Sequence, residues 1–399
     1  MRLMKIMKTI KLIFSLALLM ALTGNACAHE GHDHGPPLAV SVALDAKGNL
    51  WRASVKDGFV LVDKSPALVS LAFSASQKLN SQAQKIGTDG DARPKIAIAK
   101  NGNIYVTWTQ ALPTPYSGYI WFSRSSDGGK TFSQPSIVHQ DRAEITHRFD
   151  ALSISPSGRI YVAWVDKRDL IAAKKTKQPY DGAAIYYAVS DDQGASFSAE
   201  HKVADSSCEC CRIAMLADEQ GDAVMMWRHL FYGGVRDHAI AKVSANDTTP
   251  KVHRASFGDW KIDACPHHGP AIARGGDWGY HMAWFDGGDK AGLFYARMDG
   301  DAWVSSPAKR FGDANNQAGH PALISDGEQV WLAWKEMTDT LSLVKLARSN
   351  DGGRSWDTPV VISHTKGKSD YPQLLLKDGQ AYLAWNTKLD GLAWLKITQ

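Results

Sequence analysis

The sequence of 399 residues lacks an apolar run long enough to cross a membrane, and it lacks a large excess of charge of either sign. The apolar stretch at residues 12–22 is too short for a membrane anchor. Residues 1–28 contain four of the 45 Lys and Arg and none of the 41 Asp and Glu, so the remainder carries 41 minus 41, a formal charge of zero. Binding to nucleic acid or to an anionic membrane is therefore not expected.

The N-terminal segment has the pattern of a secretory signal. Four basic residues precede the apolar stretch, and Ala26-Cys27-Ala28 forms a cleavage site. Acylation of Cys27 is the alternative, but Gly24 stands where lipoprotein signals usually place Leu, which favours cleavage after Ala28. The sequence predicts a signal peptide at 1–28 and a periplasmic or secreted protein with no membrane span.

One octapeptide pattern, Ser-x-Asp-x-Gly-x-x-(Phe/Trp), occurs three times, starting at Ser125, Ser190 and Ser349. Each copy lies between two strand-like segments. Ser and Asp side chains bind turn amides, glycine tolerates positive φ, and the aromatic residue anchors the turn to a sheet. The pattern predicts three hairpin turns.

A second repeat consists of strand-like segments that end in tryptophan. Its members are Trp108, Trp164, Trp227, Trp284, Trp334 and Trp385, at steps of 56, 63, 57, 50 and 51 residues. A period near 50 residues with about four strands per unit is typical of a β-propeller. Because tryptophan recurs at one strand position, core packing is favoured over sugar stacking.

The number of blades follows from counting the turn-and-strand units. Residues 48–51 match residues 102–105, which adds a seventh unit. The sequence predicts an all-β, seven-bladed β-propeller, with six blades as the alternative if the first unit packs as an extension. The last unit, 371–399, holds three strands, and we expect an N-terminal segment to complete it. The predicted organisation is a signal peptide at 1–28, a His-rich tail at 29–37 and a propeller at 38–399.

The octapeptides resemble the Asp box of sialidases and of other proteins with bacterial neuraminidase repeats, where the box joins the third and fourth strands of a blade. The resemblance covers most of the chain after the signal peptide and implies the fold more strongly than an activity. In sialidases, as the resemblance implies, three arginines bind the substrate carboxylate, a Tyr backed by Glu is the nucleophile, and an Asp is the acid/base.

Candidates for those catalytic roles are few in this sequence. Arg93, Arg148 and Arg212 precede the first strands of three consecutive units, and Tyr371 has a similar position. The order Arg-Ile-Pro of sialidases is absent, and none of the seven glutamates lies in a matching context. We therefore expect no true sialidase activity. In the alternative interpretation these arginines brace loops or pair with carboxylates, with Asp91, Asp150 and Asp263 as the candidates.

Four cysteines remain after the signal peptide, in two segments at matching positions of successive units. Two disulfides are one interpretation for an exported protein. The other is a thiolate and imidazole site for copper or zinc, and the two can coexist. Matching positions on adjacent blades are neighbours in space, so we expect one cluster near the channel mouth. Its predicted members are Cys208, Cys210, Cys211, Cys265, His267 and His268.

Two further features favour a metal. The predicted mature N-terminus carries His29, His32 and His34, and a His-rich tail with a free amine suits Cu(II) or Ni(II). Methionines 215, 225 and 226 follow the first cysteine segment, and thioethers favour Cu(I), although core packing is the alternative.

Three functions stay open at this point. The preferred one is an exported, metal-associated propeller with copper or zinc as its cofactor. The second is an exo-sialidase-like glycoside hydrolase, and the third is a noncatalytic propeller that binds a carbohydrate or a protein. We expect a monomer whose partner is a small ligand, a sugar or a protein. The basic run at 174–177 is expected to be a solvated turn.

Overall fold

The computed structural model describes residues 37–66, 70–218, 220–245, 247, 249–264 and 266–398. These residues form seven antiparallel sheets, of which the first six have four strands and the seventh has three. The arrangement confirms the predicted all-β, seven-bladed propeller. The signal peptide, residues 29–36 of the predicted tail, and Cys265 lie outside the described residues.

Blade one contains β1 (Ser41–Leu44), β2 (Leu50–Lys56), β3 (Phe59–Ser65) and β4 (Gln77–Lys78). Blade two contains β5 (Lys95–Ile98), β6 (Ile104–Ala111), β7 (Gly118–Ser125) and β8 (Ser136–Ile137). Blade three contains β9 (His147–Ile154), β10 (Ile160–Asp166), β11 (Ala183–Ser190) and β12 (His201–Ser207). Blade four contains β13 (Ala214–Ala217), β14 (Ala223–Arg228), β15 (His238–Val243) and β16 (His253–Arg254).

Blade five contains β17 (Ala271–Arg274), β18 (Gly279–Asp286), β19 (Gly292–Asp299) and β20 (Lys309–Phe311). Blade six contains β21 (Gly319–Asp326), β22 (Gln329–Met337), β23 (Ser342–Ser349) and β24 (Val360–Thr365). Blade seven contains β25 (Gln373–Lys377), β26 (Gln380–Thr387) and β27 (Gly391–Lys396). Two 3-10 helices, Tyr232–Gly234 and Ala314–Asn316, lie in connecting segments.

The first strands of the blades close the ring. Strands β1, β5, β9, β13, β17, β21 and β25 contact one another in that order, and β25 contacts β1. The six repeated tryptophans lie on the second strands and are 0 to 3 % exposed, which confirms their core packing. Met225 and Met226 are also fully buried on β14, in agreement with packing.

The three octapeptides form turns between the third and fourth strands, as the resemblance implied. In the first copy the Ser125 hydroxyl accepts a hydrogen bond from the N–H of Gly129 at 2.8 Å and donates one to Asp127 at 2.8 Å. A Cβ at Gly129 would lie 2.2 Å from Trp51 of the preceding blade. The other copies repeat this approach, Gly194 to Phe122 at 2.5 Å and Gly353 to Tyr295 at 1.8 Å, so the turns also join neighbouring blades.

A buried arginine ties the ends of the ring together. Arg93 donates hydrogen bonds to both carboxylate oxygens of Asp370 at 2.6 Å and to the carbonyl of Val40 at 2.7 Å. The N–H of Val40 donates to Asp370 at 3.1 Å. Among the described residues, no N-terminal strand pairs with β27, so the expected completion of blade seven does not occur there. The chain from residue 37 instead crosses to β1 along this ion pair.

Blade three carries a helix, α1 (Arg168–Thr176), between β10 and β11. The expectation of a turn at 174–177 was therefore wrong for most of that run. Lys174 and Lys175 lie in the last turn of the helix, where the helix dipole favours cations, and Lys177 ends it in a left-handed conformation. No helix among the described residues is long and apolar enough to span a membrane.

Candidate functional site

The two faces of the ring carry different kinds of segment. Second strands end, and first strands begin, on one face, which we call the loop face; the octapeptide turns lie on the other. A cavity of about 1,090 Å³ opens between blades four and five, and one of about 1,110 Å³ opens between blades three and four. Both are lined by the connector that follows β16, residues 257–264, which therefore separates them.

Three of the predicted metal ligands meet on the loop face, beside the second of these cavities. Cys208 follows β12 directly, and its N–H donates to the carbonyl of Arg228, at the end of β14, at 2.9 Å. The Sγ of Cys208 lies 3.7 Å from the Sγ of Cys210 and 3.7 Å from that of Cys211. All three side chains are buried, and their sulfurs lie within 4.8 Å of one another.

The sulfur separations distinguish a disulfide from a metal site. A disulfide requires a separation of about 2.05 Å, and none of the described cysteines is bonded in this way. Sulfurs held at about 2.3 Å from one ion with tetrahedral angles lie about 3.8 Å apart. Two of the three separations are 3.7 Å, close to that spacing, and the third is within 4.8 Å, so the arrangement of the sulfurs is compatible with a shared ion.

Two arginines place positive charge beside the sulfurs. Arg228 is 1 % exposed and donates to the carbonyls of Arg236, His268 and Phe285, at 2.9, 3.3 and 2.8 Å. Among the described residues no carboxylate lies within salt-bridge distance of it. Arg236 donates from Nη1 to the Sγ of Cys208 at 3.5 Å. Because a buried guanidinium is costly without a nearby anion, this environment favours thiolates over thiols.

The pKa values of two cysteine thiols are shifted in opposite directions. Hydrogen bonds from Cys210 and Cys211, together with the charge of Arg228, hold the pKa of Cys208 well below its usual range. The hydrogen bond to Cys208, together with burial, raises the pKa of Cys211. Cys208 therefore loses its proton more readily than Cys211, whose proton a metal ion would have to displace.

The predicted imidazole ligands have a different setting. The ring of His268 stacks on Phe285 at 4.1 Å and on His320 at 4.3 Å between centroids, and burial lowers the pKa of His268 to about 3. Neither His268 nor His267 belongs to the group of ligand atoms within 4.8 Å. Four further predicted ligands lie outside the described residues, namely Cys265, His29, His32 and His34.

Three of the four catalytic candidates lie at the channel mouth. Arg93, Arg212 and Tyr371 line a cavity of about 320 Å³ there, whereas Arg148 does not line it and lies 4.9 Å from the Phe149 ring. Arg212 donates to Asp91 at 3.0 Å and to the carbonyls of Pro270 and Pro321 at 3.2 and 2.9 Å. It therefore links four blades across the axis.

These contacts fit the bracing interpretation better than substrate binding. Arg212 pairs with Asp91, as that interpretation expected, but Arg93 pairs with Asp370 rather than with Asp91, Asp150 or Asp263. Tyr371 stacks on His320 at 3.5 Å between ring centroids. The donors of Arg93 and Arg212 thus already have protein acceptors.

Sequence reasoning missed Arg228, Arg236 and a third residue, Asp286, which is 6 % exposed at the end of β18. A signal for Arg228 was present. It directly follows the repeated Trp227, a position that an apolar or uncharged side chain fills in four of the six units. A charged residue where most other units have an uncharged one indicates that this unit packs differently at that position.

Comparisons with known proteins agree with the fold. No family model matches the chain, and no curated protein matches it. Among solved structures, a Hadza microbial sialidase is 16% identical, with a TM-score of 0.52, over 89% of this chain and 74% of the other. An ulvan lyase of polysaccharide lyase family PL25 is 12% identical, with a TM-score of 0.53, over 91% and 92%. Virginiamycin B lyase from Staphylococcus aureus is 13% identical, with a TM-score of 0.52, over 92% and 97%. At these identities the likeness shows a shared propeller fold and assigns no activity.

Proposed function

We propose that this chain is an exported propeller that binds a soft metal ion, copper(I) or zinc, through Cys208, Cys210 and Cys211, and that it is not a sialidase. The observation that carries the proposal is the convergence of three buried sulfurs within 4.8 Å of one another, two of the separations being 3.7 Å, beside a buried guanidinium. Soft thiolates favour Cu(I) and Zn(II) over harder ions. Export rests on the signal pattern of residues 1–28.

The two candidate metals require different numbers of thiolates to make the cluster electrically neutral. Three thiolates, one Cu(I) ion and the guanidiniums of Arg228 and Arg236 sum to zero. Four thiolates, one Zn(II) ion and the same two guanidiniums also sum to zero. Since a buried site is most stable when its charges cancel, the sequence-based prediction that Cys265 is a ligand favours zinc, and a three-cysteine site favours Cu(I).

The test is metal analysis of protein isolated from its native compartment under anaerobic conditions. We expect about one Cu or Zn per chain, and its loss in Cys208→Ser. The matched variant Cys265→Ser distinguishes the two metals, because zinc binding would fall whereas Cu(I) binding would persist. Failure of both ions to bind the reduced protein in a chelator competition would contradict the proposal.

The negative part of the proposal has its own assay. The arginines that would hold a sialic-acid carboxylate are engaged with Asp370 and Asp91, so we expect no hydrolysis of an aryl sialoside above the uncatalysed rate. Turnover that disappears in Arg212→Met would overturn this part and make the glycosidase function the leading one.

A further inference from the structure

The cavity of about 1,090 Å³ between blades four and five has walls built by close packing. A Cβ at Gly258 would lie 1.9 Å from the Oδ2 of Asp286, and one at Gly287 would lie 2.5 Å from the ring of Trp260. Glycine at both positions lets the connector 257–264 press onto the loop after β18. The cavity is thus a fixed feature of the seam between these blades.

One polar group of its wall is the carboxylate of Asp286, which has an oxygen that accepts no hydrogen bond from the described residues. Asp286 is 6 % exposed, and its Oδ1 accepts a hydrogen bond from the N–H of Gly288 at 2.9 Å. Within the part of the chain that the structure describes, no group donates to Oδ2. Asp286 lines the cavity, so a ligand there would meet a carboxylate oxygen that accepts no hydrogen bond from the described residues.

Aromatic rings form much of the remaining wall. Trp260 lines the cavity and is not one of the six repeated tryptophans, and Phe257 beside it is 63 % exposed. Trp284 and Phe294 stack at 6.1 Å between centroids and also line it. Large flat side chains next to a few polar groups are typical of small-molecule sites.

The charges around the cavity decide the class of ligand. Two ammonium groups and three carboxylates line it, so the two signs nearly balance and the wall gives an organic cation little net attraction; these are Lys261, Lys290, Asp259, Asp286 and Asp289. The slight excess of carboxylates likewise disfavours an anionic sugar. A neutral sugar has hydroxyls that both donate and accept, and its C–H faces pack on aromatic rings, so it satisfies donors, acceptors and apolar surface together.

We propose that this cavity binds a neutral carbohydrate, with Asp286 as the buried acceptor and Phe257 as the exposed stacking surface. No residue of this cavity lines the channel-mouth cavity, and the connector 257–264 lies between it and the cavity beside the cysteine cluster. The proposal does not depend on the proposed metal. The ligand class differs from the anionic sugars that a sialidase binds.

The experiment is a titration of the full chain with neutral pentasaccharides of glucose, mannose, xylose and N-acetylglucosamine, followed by tryptophan fluorescence and calorimetry. Sialyllactose and oligogalacturonate serve as anionic comparisons, and a glucosamine oligomer serves as the cationic one. We expect saturable binding of at least one neutral probe and none of the charged ones.

Substitutions in the wall of the cavity test whether the carbohydrate binds there. Asp286→Asn is expected to weaken binding about tenfold or more, since it replaces a charged acceptor, and Phe257→Ala about 2- to 13-fold. Tyr232→Ala is the matched control, because Tyr232 is a fully exposed aromatic side chain outside this cavity. If Asp286→Asn fails to fold, the exposed Phe257 still tests the proposal. Absence of saturable neutral binding, equal binding of sialyllactose, or binding that neither variant changes would overturn it.

Discussion

The strongest prediction concerns Arg236, whose Nη1 donates to the Sγ of Cys208 at 3.5 Å. We expect Arg236→Gln to weaken metal binding, because it removes a positive charge from the thiolates while it keeps a polar side chain. A hydrogen bond to a charged group contributes about 1.5–3 kcal/mol, which corresponds to a loss of about 10- to 150-fold in affinity. Arg236 is partly exposed, so solvent screening favours the lower half of that range.

The assay is a chelator competition with Cu(I) and, separately, with Zn(II), at several pH values. Loss of the guanidinium would raise the pKa of the Cys208 thiol, and the metal must displace that proton. The variant's deficit should therefore be largest near about pH 6 and shrink toward about pH 9. Arg236→Lys, which keeps the charge, should recover much of the affinity. Equal affinities for wild type and Arg236→Gln at every pH, with unchanged melting temperature, would refute the electrostatic argument.

Two other predictions concern stability. Arg93→Met should lower the free energy of unfolding in urea by about 3–5 kcal/mol, because Asp370 would stay buried without its partner. The control is Arg52→Met, which breaks a more exposed ion pair with Asp63. Equal losses of stability in the two variants would contradict the reasoning. Burial lowers the pKa of His139 from 6.5 to about 3, so the unfolded chain binds more protons and stability should fall as the pH drops below about 6.5. The measurement is the urea midpoint from about pH 7 to about pH 4.5, a range above that in which most carboxylates titrate. A midpoint that stays constant over this range would contradict the predicted fall in stability.

Much of the fold could be predicted because it repeats. The second-strand tryptophan and the octapeptide turn each have a local sequence pattern, and these patterns occur six and three times. The closure of the ring was harder to predict. Arg93 and Asp370 are 277 residues apart, and nothing local in either segment indicates that they pair.

The candidate site was predicted in part for the same reason. Cys208, Cys210 and Cys211 lie within four residues, so their proximity follows from the chain itself. Their electrostatic environment does not, because Arg228 and Arg236 come from the end of β14 and the loop after it. Asp286 carried no signal, since an aspartate at a strand end is an ordinary turn residue until Gly258 packs against it.

Neither proposed site uses the central channel, because side chains that hold the blades together occupy its mouth. In this ring Arg212 crosses the channel mouth to Asp91 and to two carbonyls, and Tyr371 stacks beside it, so the centre is used for holding blades together. The link from β16 to β17 spans residues 255–270 and is as long as the link from β4 to β5, and its segment 257–264 passes between two large cavities. Because the repeated core holds blades four and five independently of that connector, its sequence is free to supply Phe257, Trp260 and Lys261 to the loop face. The proposed carbohydrate contacts thus combine side chains of this segment with Asp286 at the end of β18, which the repeated core holds in place.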